Sequence, residues 1–321
     1  MKKLFALSLI VLLGLPAIGQ VEMRTRLLCS LTNIEIEDYL RRNDVIIVPI
    51  GPIEVNGAYP VDVEYVGPLA YAIKIAEKMD ALVLEHMVFA YPGGTASARG
   101  TIYVSPTEWS HFIKTIATSL LRQGFKTQIY ITGHGPSHSF MDTFLFEFMA
   151  EKKIAVLHMT MNTVASKLKL ETKVDRGATM LGAYSIVGRL NDIPLTTDLA
   201  KIDQPDLGAY LKERPERAQS AQTAMARPPA QQSQQQTGLR GGRLNDTYPV
   251  THFYSSPYDH GGVPKPLAAT AEERDRLAKQ GIAYINEVVD KMDAPGILKA
   301  LRAQQAYVDG VVKKHGDLLP E

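Results

Sequence analysis

Thiols are almost absent: Cys29 is the only cysteine in 321 residues. An intrachain disulfide is therefore excluded, and the sequence gives Cys29 no role beyond a structural or incidental thiol. Charge of one sign is lacking too. Lys and Arg total 35 against 34 Asp and Glu, a formal net charge of +1. That balance offers nothing to nucleic acid or another polyanion. A membrane-length apolar run is also missing. The apolar stretch at 4–15 is too short to span a bilayer comfortably.

That stretch has a different meaning. Lys2 and Lys3 precede it, and the small residues Ala17 and Gly19 follow it, before Gln20. This is the pattern of a secretory signal peptide over 1–19, expected to be cleaved near Gly19-Gln20, the plain alternative being a retained N-terminal membrane anchor. The mature protein is expected to be periplasmic or extracellular, with no stable membrane anchor. Cys29 falls well past the cleavage point and so is not a lipid-modified N-terminal cysteine. What remains, at 45% hydrophobic and 21% charged, is ordinary globular composition. It suits one α/β domain over 20–321.

The chain alternates strand and helix signals. Strands are expected at 45–50, 81–84, 126–132 and 154–159, and helices at 34–42, 66–79, 139–152 and 179–190. Ser105-Pro106-Thr107-Glu108 joins a capping box to a proline at the first helical position. Its helix should run to Gln123 and stop at Gly124. Trp109 falls at helical spacing with Phe112 and Ile113, so core packing is its expected role. Thr270 and Glu273 form a further capping box, opening a helix to about Met292. The alternation implies βαβ crossovers, a mainly parallel sheet and helices on both faces, a three-layer α/β/α sandwich. Only 213–245 departs from it. That segment holds Gln231, Gln232, Gln234, Gln235 and Gln236 with almost no large apolar residue. It cannot bury enough surface to offset its ordering entropy, and is expected to be a flexible surface insertion.

Two strand ends carry the chemistry. The β-branched run from Val45 ends in Pro49, Gly51 and Pro52, and Glu54 follows at once. The second, from Thr127 to Thr132, ends in His134 between Gly133 and Gly135. In parallel sheets the carboxyl ends of strands carry ligand sites. A carboxylate and an imidazole there read as halves of one divalent-metal site. Asn56, Tyr59, Asp62 and Glu64 are further candidates beside Glu54. The plain alternative is that a glycine-flanked His only shapes its turn. Asp259 with His260, and Glu85 with His86, are candidate catalytic pairs. Loop hydrogen bonding is the plain alternative for each. His111, His138 and His158 show no partner in the sequence.

The order of these motifs resembles the creatininase (creatinine amidohydrolase) family. That family carries P-x-G-x-x-E-x-H-G-x-H-L-P after a strand, then an Asp, and later N-G-H-G. Here the stretches run from Pro49 to Pro60 and from Thr132 to Pro136. Gly100-Thr101-Ile102 resembles the family's P-G-T-I, with Arg99 in place of the Pro. Gly262-Val263-Pro264 and Ala269-Thr270 resemble its last segment. The resemblance implies a metal held by Glu54, an acidic residue best matched by Glu64 (with Asp62 competing), and His134. It also implies a small-molecule amide substrate and a homo-oligomer, commonly a hexamer, and a mixed carboxylate–imidazole site suits Zn or Mn. The departures are equally specific. Asn56 and Pro136 stand where the family has the His and Glu of a second metal site, which should leave one metal per subunit. The family's H-A-G-E-x-E-T-S becomes the run from Ala178 to Ser185, without the His or either Glu. Asp259 and His260 are then the candidates for proton transfer.

The expected activity is metal-dependent hydrolysis of a C–N bond in a cyclic or linear amide. The alternative is a catalytically degenerate member that binds a ligand or serves as a scaffold. One-metal lyase or isomerase chemistry is a third reading. Deleting 218–236 should leave the thermal midpoint nearly unchanged in a calorimetric scan, because a solvated loop contributes few buried contacts. A collapse of folding would show that the segment packs.

Overall fold

The computed structural model describes residues 23–57, 59–170, 174–199 and 268–318. The expected signal peptide, the Gln-rich insertion, Asp259, His260 and the Gly262-Val263-Pro264 motif lie outside them.

The order of elements is α1 (Asn33–Leu40), β1 (Val45–Ile50), α2 (Val63–Met79), β2 (Leu82–Val83), α3 (Pro106–Gln123), β3 (Thr127–Thr132), α4 (Gly135–Lys152) and β4 (Val156–Thr160). Then come α5 (Met161–Lys167), α6 (Arg176–Ile186), α7 (Thr196–Leu199), α8 (Ala271–Lys291) and α9 (Ala294–Gly310). The strands form one parallel sheet in the order β2-β1-β3-β4. Every residue of β1 and β3 is buried, as befits central strands covered on both faces.

Strand alternation assigns the two cores. Val45 and Ile47 of β1 point to one side, where α2, α6, α8 and α9 contribute Val66, Leu181, Ile285 and Leu298. Ile46, Val48 and Ile50 point to the other, against Tyr39 of α1, Trp109 and Ile113 of α3, and Phe144 and Phe148 of α4. The α/β/α sandwich follows directly. Trp109 is buried in this core as expected, while its neighbour Phe112 is 43% exposed.

Local signals placed most boundaries. Ser105 and Glu108 close a complete capping box on α3, and Gly124 ends it. On α8, Thr270 accepts the Glu273 amide, but Glu273 returns its carboxylate to the amide of Ala269, so the box is only half formed. Three helices start earlier than the sequence suggested. α2 begins at Val63 rather than 66, α4 at Gly135 rather than 139, and α6 at Arg176 rather than 179, ending at Ile186 rather than 190. The first two shifts bring a candidate ligand to a helix start: Glu64 into the first turn of α2, and His134 to the position just before α4. α9 was not anticipated. Asp293 adopts a left-handed conformation, and its side chain caps the Gly296 amide.

α6 and α8 meet backbone to backbone. A β-carbon on Gly281 would lie 1.9 Å from the Ala178 carbonyl oxygen, and one on Gly182 2.4 Å from the Gly281 carbonyl carbon. In an isolated helix Gly→Ala stabilises by about 1 kcal/mol. Here the two helices must separate first. Gly281→Ala should therefore cost about 1–3 kcal/mol, as overpacking does. Gly310→Ala, whose added methyl meets nothing within 4 Å, serves as the control. Urea denaturation of the two variants checks this, and equal stability would contradict the close contact.

Candidate metal and catalytic site

The strand order reverses direction between β1 and β3, because the chain steps outward from β1 to β2 and then back across to β3. Crevices at such reversals, beyond the carboxyl ends of the strands, are where open α/β sheets bind ligands. Glu54 follows β1 and His134 follows β3, so both enter this crevice from facing strand ends.

Two close approaches shape it. A β-carbon on Gly51 would lie 2.4 Å from the carbonyl oxygen of Glu64. One on Gly133 would lie 3.2 Å from the ring of Pro68. Side chains at these positions would hold α2 away from the strand ends. Their absence lets its first turn, with Glu64, settle between them.

The loop that carries Glu54 is fixed by its backbone. The Glu54 amide donates to the Val61 carbonyl at 2.8 Å. The Ile102 amide donates to the Ile53 carbonyl at 3.0 Å, and the Val55 amide to the Thr101 hydroxyl at 3.1 Å. The Gly100-Thr101-Ile102 motif thus acts as a brace for the Glu54 loop.

Glu54 and His134 are buried, with Glu54 Oε1 3.3 Å from His134 Nε2. Each is held from behind by a hydroxyl. Thr95 donates to Glu54 Oε2 at 2.5 Å, and Ser137 Oγ lies 2.9 Å from His134 Nδ1. Outer partners of this kind orient metal ligands. Glu64 lies in the same pocket. Burial pushes its carboxyl above the usual range, Arg176 and His134 pull it back, and Glu54 adds to the rise. Its oxygens face Asn56 Nδ2 at 3.5 Å and the Arg176 guanidinium at 3.3 Å. Glu54, Glu64 and His134 do not form a closed set. Among the described residues, the His, Cys, Asp and Glu group whose donor atoms all lie within 4.8 Å of one another is Cys29, Glu85 and His86.

Asp62, the competitor of Glu64, is occupied elsewhere. It accepts the Tyr184 hydroxyl at 2.8 Å and pairs with the Arg189 guanidinium. Tyr59 is partly buried, and burial pushes its phenol up to about 12 against the pull of Arg176. His158 sits between Thr132 and Asp142, at 2.9 and 2.8 Å. His111 is exposed on α3. The segment matching H-A-G-E-x-E-T-S forms α6. Ala178, Leu181 and Ala183, which occupy the positions of its His and two Glu, are buried apolar residues of that helix.

Residues 30–183 match the family model for creatininase, described as creatinine amidohydrolase. Over this segment the chain belongs to the creatininase family. Solved creatininases share its fold. A Trp-to-Phe variant is 19% identical with a TM-score of 0.53, the match covering 87% of this chain and 99% of that one. A creatininase described as the Mn form is 19% identical with a TM-score of 0.50, covering 88% and 99%. A Glu-to-Gln variant complexed with creatine is 18% identical with a TM-score of 0.51, covering 88% and 99%. No curated protein matches the chain.

Sequence reading missed three neighbours of the candidate ligands: Thr95, Ser137 and Arg176. Ser137 alone had a local signal, three residues after His134 at a helix start. Thr95 and Arg176 arrive from remote segments.

The two neighbouring acids should separate on stability alone. Asp62→Asn removes charge-assisted bonds to Tyr184 and to a partly exposed Arg189. It should cost about 1–2 kcal/mol in urea melts, solvent screening keeping the figure low. Glu64→Gln removes a buried charge and should cost nothing or stabilise the metal-free protein at neutral pH. The sign follows from the direction of the shift. A carboxyl raised in the folded state binds more protons folded than unfolded, so wild-type stability falls as pH climbs out of the ordinary Glu range. The Gln variant should lack that fall. Matching losses in both variants would put Glu64 in a structural pair like that of Asp62.

Proposed function

We propose that the protein is a secreted, metal-dependent amidohydrolase that cleaves a C–N bond in a small cyclic or linear amide, using one divalent ion per chain. The observation that carries the reading is the buried Glu54–His134 contact in the β1/β3 crevice, with Glu64 beside it, in a creatininase-family chain. Two buried donors already braced by Thr95 and Ser137 suit a mixed carboxylate–imidazole site for Zn or Mn. Creatininase structures described as Mn and Zn–Zn forms support that choice. Bound there, the ion would supply Lewis acidity toward the amide carbonyl and an activated water.

The chain's own groups would do the rest. Glu54, Glu64 and His134 would hold the ion. The Thr95 hydroxyl fixes the Glu54 carboxylate, and Ser137 fixes the imidazole ring. Arg176, with its side chain 76% exposed, reaches Glu64 from solvent and is free to turn toward an incoming substrate. Asp259 and His260 are our assignment for proton transfer to the leaving nitrogen. A homo-oligomer, commonly a hexamer in the family, is part of the same proposal, as is export behind the N-terminal signal.

One observation favours the degenerate reading. Arg176 already supplies a positive group to Glu64, and the positions of the family's second-metal His and Glu are Asn56 and Pro136. In that reading the crevice binds an uncharged or anionic small molecule without turnover.

Elemental analysis after metal reconstitution should find one Zn or Mn in this crevice, lost in His134→Ala and Glu64→Gln and kept in Asp62→Asn. Activity on cyclic amides, lactams and N-acyl compounds should disappear with the ion, while the circular dichroism of His134→Ala stays native. Wild-type protein that takes up no ion here, with His134→Ala altering no ligand binding, would sink the hydrolase reading. Ion uptake without turnover on any amide would point to altered chemistry.

A further inference from the structure

Among the described residues, the metal-ligating side chains that converge lie outside the crevice, at the sheet edge. The N-terminal segment runs beside β2: Leu27 bridges Val83 in parallel, and the Val83 amide donates to the Arg26 carbonyl at 2.8 Å. Two residues further along both segments, the same alignment brings Cys29 to Glu85. The Cys29 amide donates to Glu85 Oε1 at 3.1 Å. His86 follows in a left-handed backbone conformation, φ 72°, unusual for a non-glycine residue. Its amide is tied to the Tyr65 hydroxyl at 2.6 Å. The Cys29 thiol, a Glu85 oxygen and a His86 ring nitrogen then all lie within 4.8 Å of one another.

The burial of Glu85 points to a ligand independently of that convergence. The residue is only 6% exposed, and its Oε2 is buried without a hydrogen-bond partner. A buried carboxylate oxygen without a donor is costly, and a bound ion, a water or a proton relieves that cost. The neighbours here are a thiol and an imidazole, both metal ligands. Cys29 and His86 are exposed, so the cluster opens to solvent.

We propose that Cys29, Glu85 and His86 form a second metal site, specific for a zinc-class ion, which clips the N-terminal segment to β2. Thiolate, imidazole and carboxylate together are the ligand set of a borderline divalent ion rather than of magnesium or calcium. Three protein ligands leave a fourth position for water. The site shares no ligand with Glu54, Glu64 or His134, so it does not depend on the amidohydrolase reading.

The single cysteine makes the test direct. Reduced, metal-free protein is titrated with Co²⁺ and followed by absorption, then challenged with Zn²⁺. Only Cys29 can give thiolate-to-cobalt charge transfer. Wild-type protein should show that near-ultraviolet band, Zn²⁺ should bleach it, and Zn²⁺ should raise the thermal midpoint. The band should vanish in Cys29→Ser and be lost or strongly weakened in Glu85→Gln and His86→Ala. It should persist in His134→Ala, where the crevice site is broken. No band at saturating Co²⁺ would overturn the proposal. A band unchanged in both Glu85→Gln and His86→Ala would overturn it equally, reducing the signal to adventitious binding at an exposed thiol.

Discussion

The candidate crevice depends on one steric permission. The first turn of α2 comes within a few ångströms of the backbone where β1 and β3 end, because neither Gly51 nor Gly133 carries a side chain. The approach puts Glu64 beside Glu54 and His134. It also explains why α2 starts as early as Val63: the first turn packs into the crevice, not over it. Asp62, just before that turn, faces outward to Tyr184 and Arg189. A difference of two residues at a helix start therefore decides which acid enters the site.

Much of the fold was legible in the sequence because its signals are local. The Ser105–Glu108 box, Gly124 and the β-branched runs of β1 and β3 each act within a few residues, and the structure follows them closely. The starts of α2 and α4 were misjudged because tertiary packing, not apolar periodicity, sets them. α9 was missed because Asp293 and Pro295 look like an ending, whereas Asp293 caps a new helix. The site was half legible. Strand ends pointed to Glu54 and His134, but Thr95 and Arg176 come from segments with no local mark. The Cys29 cluster was legible only in pieces, since nothing in the sequence says that the N-terminal segment runs alongside β2.

α6 shows how one segment can exchange chemistry for packing. Where the family motif has a His and two Glu, this chain has Ala178, Leu181 and Ala183, all buried. The Ala178 carbonyl meets Gly281 of α8 so closely that no β-carbon fits between them. A charged side chain in that face would have to be buried against an apolar helix at a cost of several kcal/mol. The apolar residues of this segment and the tight α6–α8 contact are thus one feature seen from two sides.

What neutralises the crevice separates the two functional readings physically. Glu54 is buried and Glu64 largely so, and their mutual repulsion raises the carboxyl of Glu64 further. Arg176 is the guanidinium within reach, but its side chain is 76% exposed while that of Glu64 is 14% exposed. An exposed partner is screened by water and compensates a buried charge poorly. A divalent ion drawn between Glu54 and His134 would act inside the pocket, where the low dielectric makes its attraction larger. It would also take up the imidazole nitrogen that now only faces a carboxylate. The degenerate reading must instead keep Glu64 partly protonated, or hold Arg176 in place against solvent. On electrostatic grounds an ion would be the better counter-charge, and that is the physical support for proposing Glu54, Glu64 and His134 as its ligands.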